Sequence, residues 1–179
     1  KYKYKSNKST HVNLTNHSYW NLEKNKKKMI FDHELKINSY KYLKINKDLI
    51  PTGNFKNVKN SIYDFSKFKN LRKKLNYFKN KKLKNKFKGF DTTFIVKKSI
   101  NNLVGSLKNN NIQIDFFSNL PGVQLYSAQN LNYKKKLFPY QGICLETQHF
   151  PDAPNKKNFP NTLIKPDKQY TYFTKIKIN

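Results

Sequence analysis

The chain has 179 residues, enough for one domain with a hydrophobic core and too few for two domains of ordinary size. Its formal net charge of +27 raises nucleic acid as a partner, but all of its 37 basic residues except Arg72 are lysine. Proteins that recognise the edges of nucleic-acid bases, or bind phosphate through two parallel hydrogen bonds, draw heavily on arginine. The scattered lysines accompany abundant asparagine, as A+T-rich codons produce, so we expect no specific nucleic-acid partner.

Short apolar or alternating runs, bounded by turn residues, recur along the chain and predict β-strands. They lie at residues 1–5, 11–15, 34–37, 94–96, 112–117, 123–126, 143–147 and 170–178. Turn chemistry is predicted at residues 51–54 and 121–122. This spacing, with 14 Phe and 12 Tyr, predicts a mainly antiparallel β-protein of sandwich or barrel type.

One segment has helical periodicity, because its apolar residues recur at steps of three and four. They are Phe65, Phe68, Leu71, Leu75 and Phe78. The pattern predicts one short helix near residues 62–78. The lysine-rich stretch from about 79 to 88 is predicted to be a solvated loop, because its like charges repel.

The single cysteine and the lack of long apolar runs bear on the cellular compartment in which the protein is expected. Cys144 has no disulfide partner, and metal sites built on cysteine pairs are excluded. Neither a run of about 18 apolar residues nor a signal-like start is present. We expect a cytoplasmic protein without a membrane partner. The chain starts without methionine, in an alternating run, so we expect it to begin in mid-fold.

Two polar segments carry groups suited to proton transfer. The run Asn-His-Ser-Tyr-Trp-Asn-Leu at residues 16–22 surrounds His17, and histidine has an unperturbed pKa of about 6.5, close to working pH. The run Leu-Glu-Thr-Gln-His-Phe-Pro-Asp at residues 145–152 places Glu146 in an apolar strand. Such burial tends to raise the pKa of a carboxyl and suits a proton acceptor. A structural histidine and a solvent-facing glutamate are the alternatives.

Two further segments look, singly, like turns that lead into strands. They are Gly-Phe-Asp-Thr-Thr-Phe at residues 89–94 and Leu-Pro-Gly-Val-Gln-Leu-Tyr at residues 120–126. Cys144 lies two residues before Glu146, on the same strand face, and is expected to be a small buried filler. A zinc site of His11, His17 and His33 lacks short ligand spacing and is not expected.

Together the four segments resemble the aldose 1-epimerase (mutarotase) family in sequence, order and approximate spacing. An Asn-Phe-Pro run at residues 158–160 adds to the match, which covers the chain except for about 66–88. The resemblance is to about the C-terminal half of a family member. It implies a single domain, residues 1–179, with an antiparallel β-sandwich of the galactose-mutarotase type that is incomplete at its N-terminus.

The resemblance also implies interconversion of the α and β anomers of free aldohexoses such as galactose and glucose, with no cofactor and no metal. It implies that Glu146 removes the C1 hydroxyl proton while His17 protonates the ring oxygen. Asp91 matches the sugar-binding aspartate of the family, and Gln124 matches a further sugar contact.

The chain departs from the family pattern in two places. An Asn-Arg pair and a second histidine from the earlier half of the family are unmatched, and Thr92-Thr93 stand where the family shows His-Asn. A separate chain carrying the missing half is therefore a candidate partner. The alternatives are a non-catalytic or decayed carbohydrate-binding remnant of the same fold and a basic nucleic-acid binder.

Overall fold

The computed structural model describes residues 1–25, 27–80, 89–134 and 136–179. Of the loop predicted at about 79–88, residues 79–80 instead end the helix, and residues 81–88 lie outside the described residues. The strands are β1 (Tyr2–Tyr4), β2 (Thr10–His11), β3 (Glu34–Ile37), β4 (Lys41–Ile45), β5 (Pro51–Asn57), β6 (Lys69–Asn70), β7 (Asp91–Ile95), β8 (Leu103–Lys108), β9 (Gln113–Ser118), β10 (Gly122–Tyr126), β11 (Cys144–Gln148), β12 (Leu163–Ile164), β13 (Tyr170–Tyr172) and β14 (Thr174–Ile178). Helix α1 spans Leu71–Asn80.

Two five-stranded antiparallel sheets organise the chain, which confirms the predicted mainly β fold. The front sheet has the order β11-β10-β7-β4-β5, and the back sheet has the order β14-β9-β8-β3-β6. Two small two-stranded sheets pair β1 with β13 and β2 with β12. In the parts of the chain that the structure describes, no helix is long and apolar enough to cross a membrane.

The core lies between the two large sheets because both present alternating apolar side chains. Ile114 and Phe116 point inward from β9, and Val123 and Leu125 point inward from β10. Successive side chains of a strand face opposite sides, so the other face of each strand stays available for polar residues. This alternation lets the front sheet hold a core on one face and a polar site on the other.

Helix α1 covers one end of this core, but it begins later than the sequence predicts. Leu71 and Leu75 are buried on its inner face. The residues before Leu71 cannot be helical because their backbone is already paired: Phe65 O accepts from Ile37 N, and β6 pairs with β3. The predicted start near residue 62 was wrong, and Phe65 joins the core from an irregular segment that precedes β6.

The C-terminal run, predicted as one strand from 170 to 178, is two strands in different sheets. β13 pairs with β1, whereas β14 pairs with β9. Phe173 separates them because side chains occupy its backbone: Phe173 N donates to Asn119 Oδ1, and Phe173 O accepts from Ser118 Oγ. A backbone satisfied in this way has no group left for the ladder.

The predicted turn at residues 51–54 is also wrong, because these residues begin β5. The turn lies at residues 46–50, just before β5, where Asn46 Oδ1 accepts hydrogen bonds from Asp48 N and Ile50 N. Leu49 takes a positive φ of 65° there. Gly53, with φ of 89°, lets β5 bend beside the irregular pairing with β4.

Removal of a buried core side chain should destabilise the chain far more than removal of an exposed one. Leu107 on β8 is fully buried, whereas Leu137 is 43% exposed. We expect Leu107→Ala to lower the free energy of unfolding by about 2–5 kcal/mol and Leu137→Ala by about 1 kcal/mol or less. Urea denaturation followed by circular dichroism measures both, and equal losses would contradict the sandwich core.

Candidate active site

Three neighbouring strands of the front sheet form a polar floor on the face that points away from the core. β10 pairs antiparallel with both β7 and β11, so Gln124 lies opposite Thr93 and Glu146. In the adjacent row, Tyr126 lies opposite Asp91 and Cys144. Because strand side chains alternate, both rows project from the same face. The register alone therefore brings together residues from three distant segments.

His17 reaches this floor from an irregular segment that follows the outer edge of β11. Asn13 exchanges two hydrogen bonds with the backbone of His149, and Thr15 Oγ1 donates to Thr147 O. Trp20 and Ile143 then pair through their backbones. These contacts hold the segment on both sides of His17, whose Nε2 lies 3.5 Å from Glu146 Oε1.

The four residues that the sequence assigned to the site line one open cavity of about 460 Å³. They are His17, Asp91, Gln124 and Glu146. Five more residues line it, to which sequence reasoning assigned no role: Tyr19, Tyr126, Asn130, Gln148 and Pro151. Four of them could have been inferred from sequence patterns: Tyr19, Gln148 and Pro151 belong to the two proton-transfer segments, and Tyr126 shares the strand face of Gln124.

The aromatic residues orient the imidazole. The Tyr19 ring stacks on His17 with centroids 5.1 Å apart, and Tyr126 meets both rings edge-on. The side chain of His17 is about half exposed at 51%, whereas that of Glu146 is only 7% exposed. The histidine thus stands at the mouth of the cavity above a buried carboxylate.

Burial sets the ionisation of the two carboxyls. Burial raises the pKa of Glu146; the charge of Asp91 raises it further, and His17 acts in the opposite direction. Burial likewise raises the pKa of Asp91, against the hydrogen bond from Gln124 and the charge of His17. Gln124 Nε2 donates to Asp91 Oδ1 at 2.6 Å. Both carboxyls therefore hold their protons more tightly than they would in water.

The cavity lining is rich in carboxyl groups, whereas the chain as a whole is strongly basic. No lysine or arginine is found among its nine described lining residues, although the whole chain has a net charge of +27. A phosphate group draws on arginine or lysine for recognition. The described cavity instead offers two carboxyls, amides and hydroxyls, which suit neutral polyol groups.

One group of potential metal donors lies at the edge of this floor. The donor atoms of His17, Cys144 and Glu146 lie within 4.8 Å of one another. Burial raises the pKa of the Cys144 thiol, and the charges of Glu146 and Asp91 raise it further. A thiol that keeps its proton is a poor metal ligand. Its full burial agrees with the expected role as a small filler.

The other three histidines lie elsewhere in the described chain. His11 Nδ1 shares a hydrogen bond with Thr162 Oγ1, and His33 Nε2 accepts from Leu22 N. His149 is buried beside the Tyr172 ring. The arrangement gives no support to a zinc site of His11, His17 and His33.

Comparison with known proteins identifies the family. Residues 1–177 match the family model described as Aldose 1-epimerase. The chain belongs to the aldose 1-epimerase family. A galactose mutarotase of Sus scrofa is 33% identical over 97% of this chain and 51% of its own length. The galactose mutarotase of Homo sapiens is 33% identical over 99% of this chain and 53% of its own length.

An aldose 1-epimerase of Escherichia coli is 28% identical over 91% of this chain and 49% of its own length. This family member therefore spans about half the length of the curated relatives that it matches.

Solved structures confirm the galactose-mutarotase type of sandwich. An aldose epimerase homologue from C. elegans superposes with a TM-score of 0.86 at 20% identity, over 99% of this chain and 54% of its own. A galactose 1-epimerase from Lactobacillus acidophilus gives a TM-score of 0.80 at 22% identity, over 99% and 51%. At such identities the similarity establishes the fold.

The charges around Glu146 predict how its pKa responds to substitution. Asp91→Asn should lower the pKa of Glu146 because it removes a like charge. His17→Gln should raise it, because a nearby potential cation is lost. Carbon-13 NMR titration of the Glu146 carboxyl measures both shifts, with Asp48→Asn as a distant control. Shifts in the same direction in both site variants would contradict this geometry.

Proposed function

We propose that this chain carries the acid and the base of an aldose 1-epimerase that interconverts the α and β anomers of free aldohexoses such as galactose and glucose. The observation that carries the proposal is the 3.5 Å approach of His17 Nε2 to Glu146 Oε1 in one cavity with Asp91 and Gln124. The names of the curated relatives, galactose mutarotase and aldose 1-epimerase, support it.

The spacing of the two groups suits the anomeric centre of a sugar. The ring oxygen and the C1 hydroxyl oxygen are bonded to the same carbon, so an acid and a base that act on them have to stand close together. The nearest atoms of His17 and Glu146 are 3.5 Å apart. Groups held at reaction distance contribute to the rate because their orientation is fixed before the substrate arrives.

The reaction divides into two reversible proton transfers. The Glu146 carboxylate takes the proton from the C1 hydroxyl as the C1 carbonyl forms and the bond between C1 and the ring oxygen breaks. The ring oxygen takes its proton from Nε2 of protonated His17. After rotation about the bond between C1 and C2, the same two groups work in reverse and close the ring with either configuration. Protons and electrons balance, and no co-reactant is consumed.

The remaining cavity residues are assigned to substrate orientation. Asp91 accepts hydrogen bonds from ring hydroxyls, and the amide of Gln124 offers a donor beside it. The stacked ring of Tyr19 keeps the imidazole of His17 facing the sugar. A neutral hexose fits this cavity better than a phosphorylated one, because its described lining contains no cationic side chain other than His17.

We extend the proposal to the organisation of the protein. Residues 1–179 act as one domain, which the shared core of the two sheets supports. The half of the curated relatives that this chain does not match supplies further sugar contacts, either in the same polypeptide or in a separate one. A cytoplasmic location is supported by the single unpaired Cys144.

Loss of either His17 or Glu146 should abolish most of the acceleration of anomer interconversion. Polarimetry of fresh α-galactose or α-glucose measures this rate. We expect His17→Gln and Glu146→Gln each to lower kcat/KM by about 10²–10⁴-fold, the usual contribution of general acid–base catalysis. His11→Gln and Glu34→Gln are matched controls outside the cavity and should leave the rate unchanged. Sugar binding without acceleration in the wild type would reduce the chain to a carbohydrate-binding remnant.

The raised pKa of Glu146 also predicts how stability depends on pH. Unfolding returns this carboxyl to its ordinary pKa near 4.5. Between that value and the higher folded pKa, the folded chain binds more protons, so stability falls as pH rises. We expect Glu146→Gln to be more stable than the wild type above this window and similar below it. Urea denaturation across pH tests this, and a wild type that gains stability relative to the variant would contradict it.

A further inference from the structure

We propose that Thr93 is a positioning residue, whose buried hydroxyl fixes the orientation of the Gln124 amide and so aims its NH₂ group at Asp91 and the sugar. The inference rests on the proposed function for its effect on substrate. The contact itself can be tested without turnover.

The contacts form a chain across two strands. Thr93 and Gln124 lie directly opposite each other in the antiparallel register. The Thr93 hydroxyl donates to Gln124 Oε1, and Gln124 Nε2 donates to Asp91 Oδ1 at 2.6 Å. Thr93 is only 3% exposed and does not line the cavity. Its effect on a sugar therefore has to pass through Gln124.

The chemistry of the three groups favours one orientation of the amide. An ionised carboxylate only accepts hydrogen bonds, so Asp91 requires the NH₂ group, and the carbonyl oxygen then faces Thr93. A flipped amide would set its carbonyl against the carboxylate. The Thr93 hydroxyl supplies the donor that the carbonyl needs in the preferred orientation. One amide hydrogen bonds Asp91, and the other remains for a sugar hydroxyl.

Without this hydroxyl the carbonyl oxygen would lose its donor at the floor of the cavity. The Gln124 amide could then rotate. Alternatively, its carbonyl oxygen could accept a hydrogen bond from the sugar, which would shift the bound sugar from its usual position. A group that positions substrate acts mainly on binding, because its contact is present in the ground state as well as in the transition state. The expected signature is a change in KM with little change in kcat.

The test compares Thr93→Val, which keeps the shape and loses the hydroxyl, with Thr93→Ser, which restores it. Thr92→Val is the matched control: Thr92 immediately precedes Thr93 in β7, faces the core, is buried and hydrogen-bonds Tyr63. We expect Thr93→Val to raise KM roughly three- to tenfold, the factor that one neutral hydrogen bond provides. Thr93→Ser should restore most of the wild-type KM, and Thr92→Val should leave KM unchanged while it lowers Tm.

Two further readouts do not depend on activity. The side-chain amide resonances of Gln124, assigned from their absence in Gln124→Ala, should move in Thr93→Val and return in Thr93→Ser. The pKa of Asp91 should rise in Thr93→Val, because the hydrogen bond from Gln124 lowers it.

Unchanged amide resonances with an unchanged pKa would overturn the proposal. An equal rise of KM in Thr92→Val and Thr93→Val would also overturn it, by reducing Thr93 to a structural residue. If the chain neither binds nor turns over sugar while both spectroscopic changes appear, the proposed function fails and the positioning contact stands.

Discussion

The antiparallel register of β7, β10 and β11 is the constraint on which the site depends. It sets Thr93, Gln124 and Glu146 in one row and Asp91, Tyr126 and Cys144 in the next. A slip of one residue would turn these polar side chains into the core and the buried apolar ones towards solvent. The core between the sheets therefore specifies the site, because burial of Val123 and Leu125 on one face of β10 fixes the direction of Gln124 on the other.

The four residues that the sequence predicted for the site line one cavity, whereas several of the strands around them were not predicted. His17 and Glu146 could be proposed from sequence because each lies in a short contiguous run that resembles a family motif, and such a run can be read without its distant partners. β4, β5 and β8 were missed or misread because their pairing depends on distant partners: Asn46 makes the turn that Pro51 was expected to make. The end of β13 was hidden because Asn119 and Ser118, far away in sequence, occupy the backbone of Phe173. Hydrogen bonds between distant segments, such as these, produce no periodic pattern in the sequence from which they could be predicted.

The charge of the chain and the charge of its cavity follow different rules. The lysines that produce the net charge of +27 are scattered along the sequence, whereas the described cavity lining has two carboxyls and no lysine. Surface lysines cost little because water solvates them, but a lysine beside Glu146 would lower the pKa of that carboxyl and compete with His17 for it. The described cavity lining contains no lysine, so no lysine charge opposes the burial that raises the pKa values of Asp91 and Glu146. Net charge therefore informs about solubility here and not about the ligand.

The irregular path of residues 13–20 explains how His17 is placed over Glu146. A regular strand at this edge would have to alternate its side chains and would place a histidine wherever the register required. Asn13 and Thr15 instead satisfy the edge of β11 with their side chains, and only Trp20 pairs through its backbone. The backbone between them is free to lift the imidazole above the sheet, where Tyr19 stacks against it. The same contacts cover an edge that would otherwise be open to pairing with another chain. One segment thus both closes the front sheet and positions the histidine above the carboxylate.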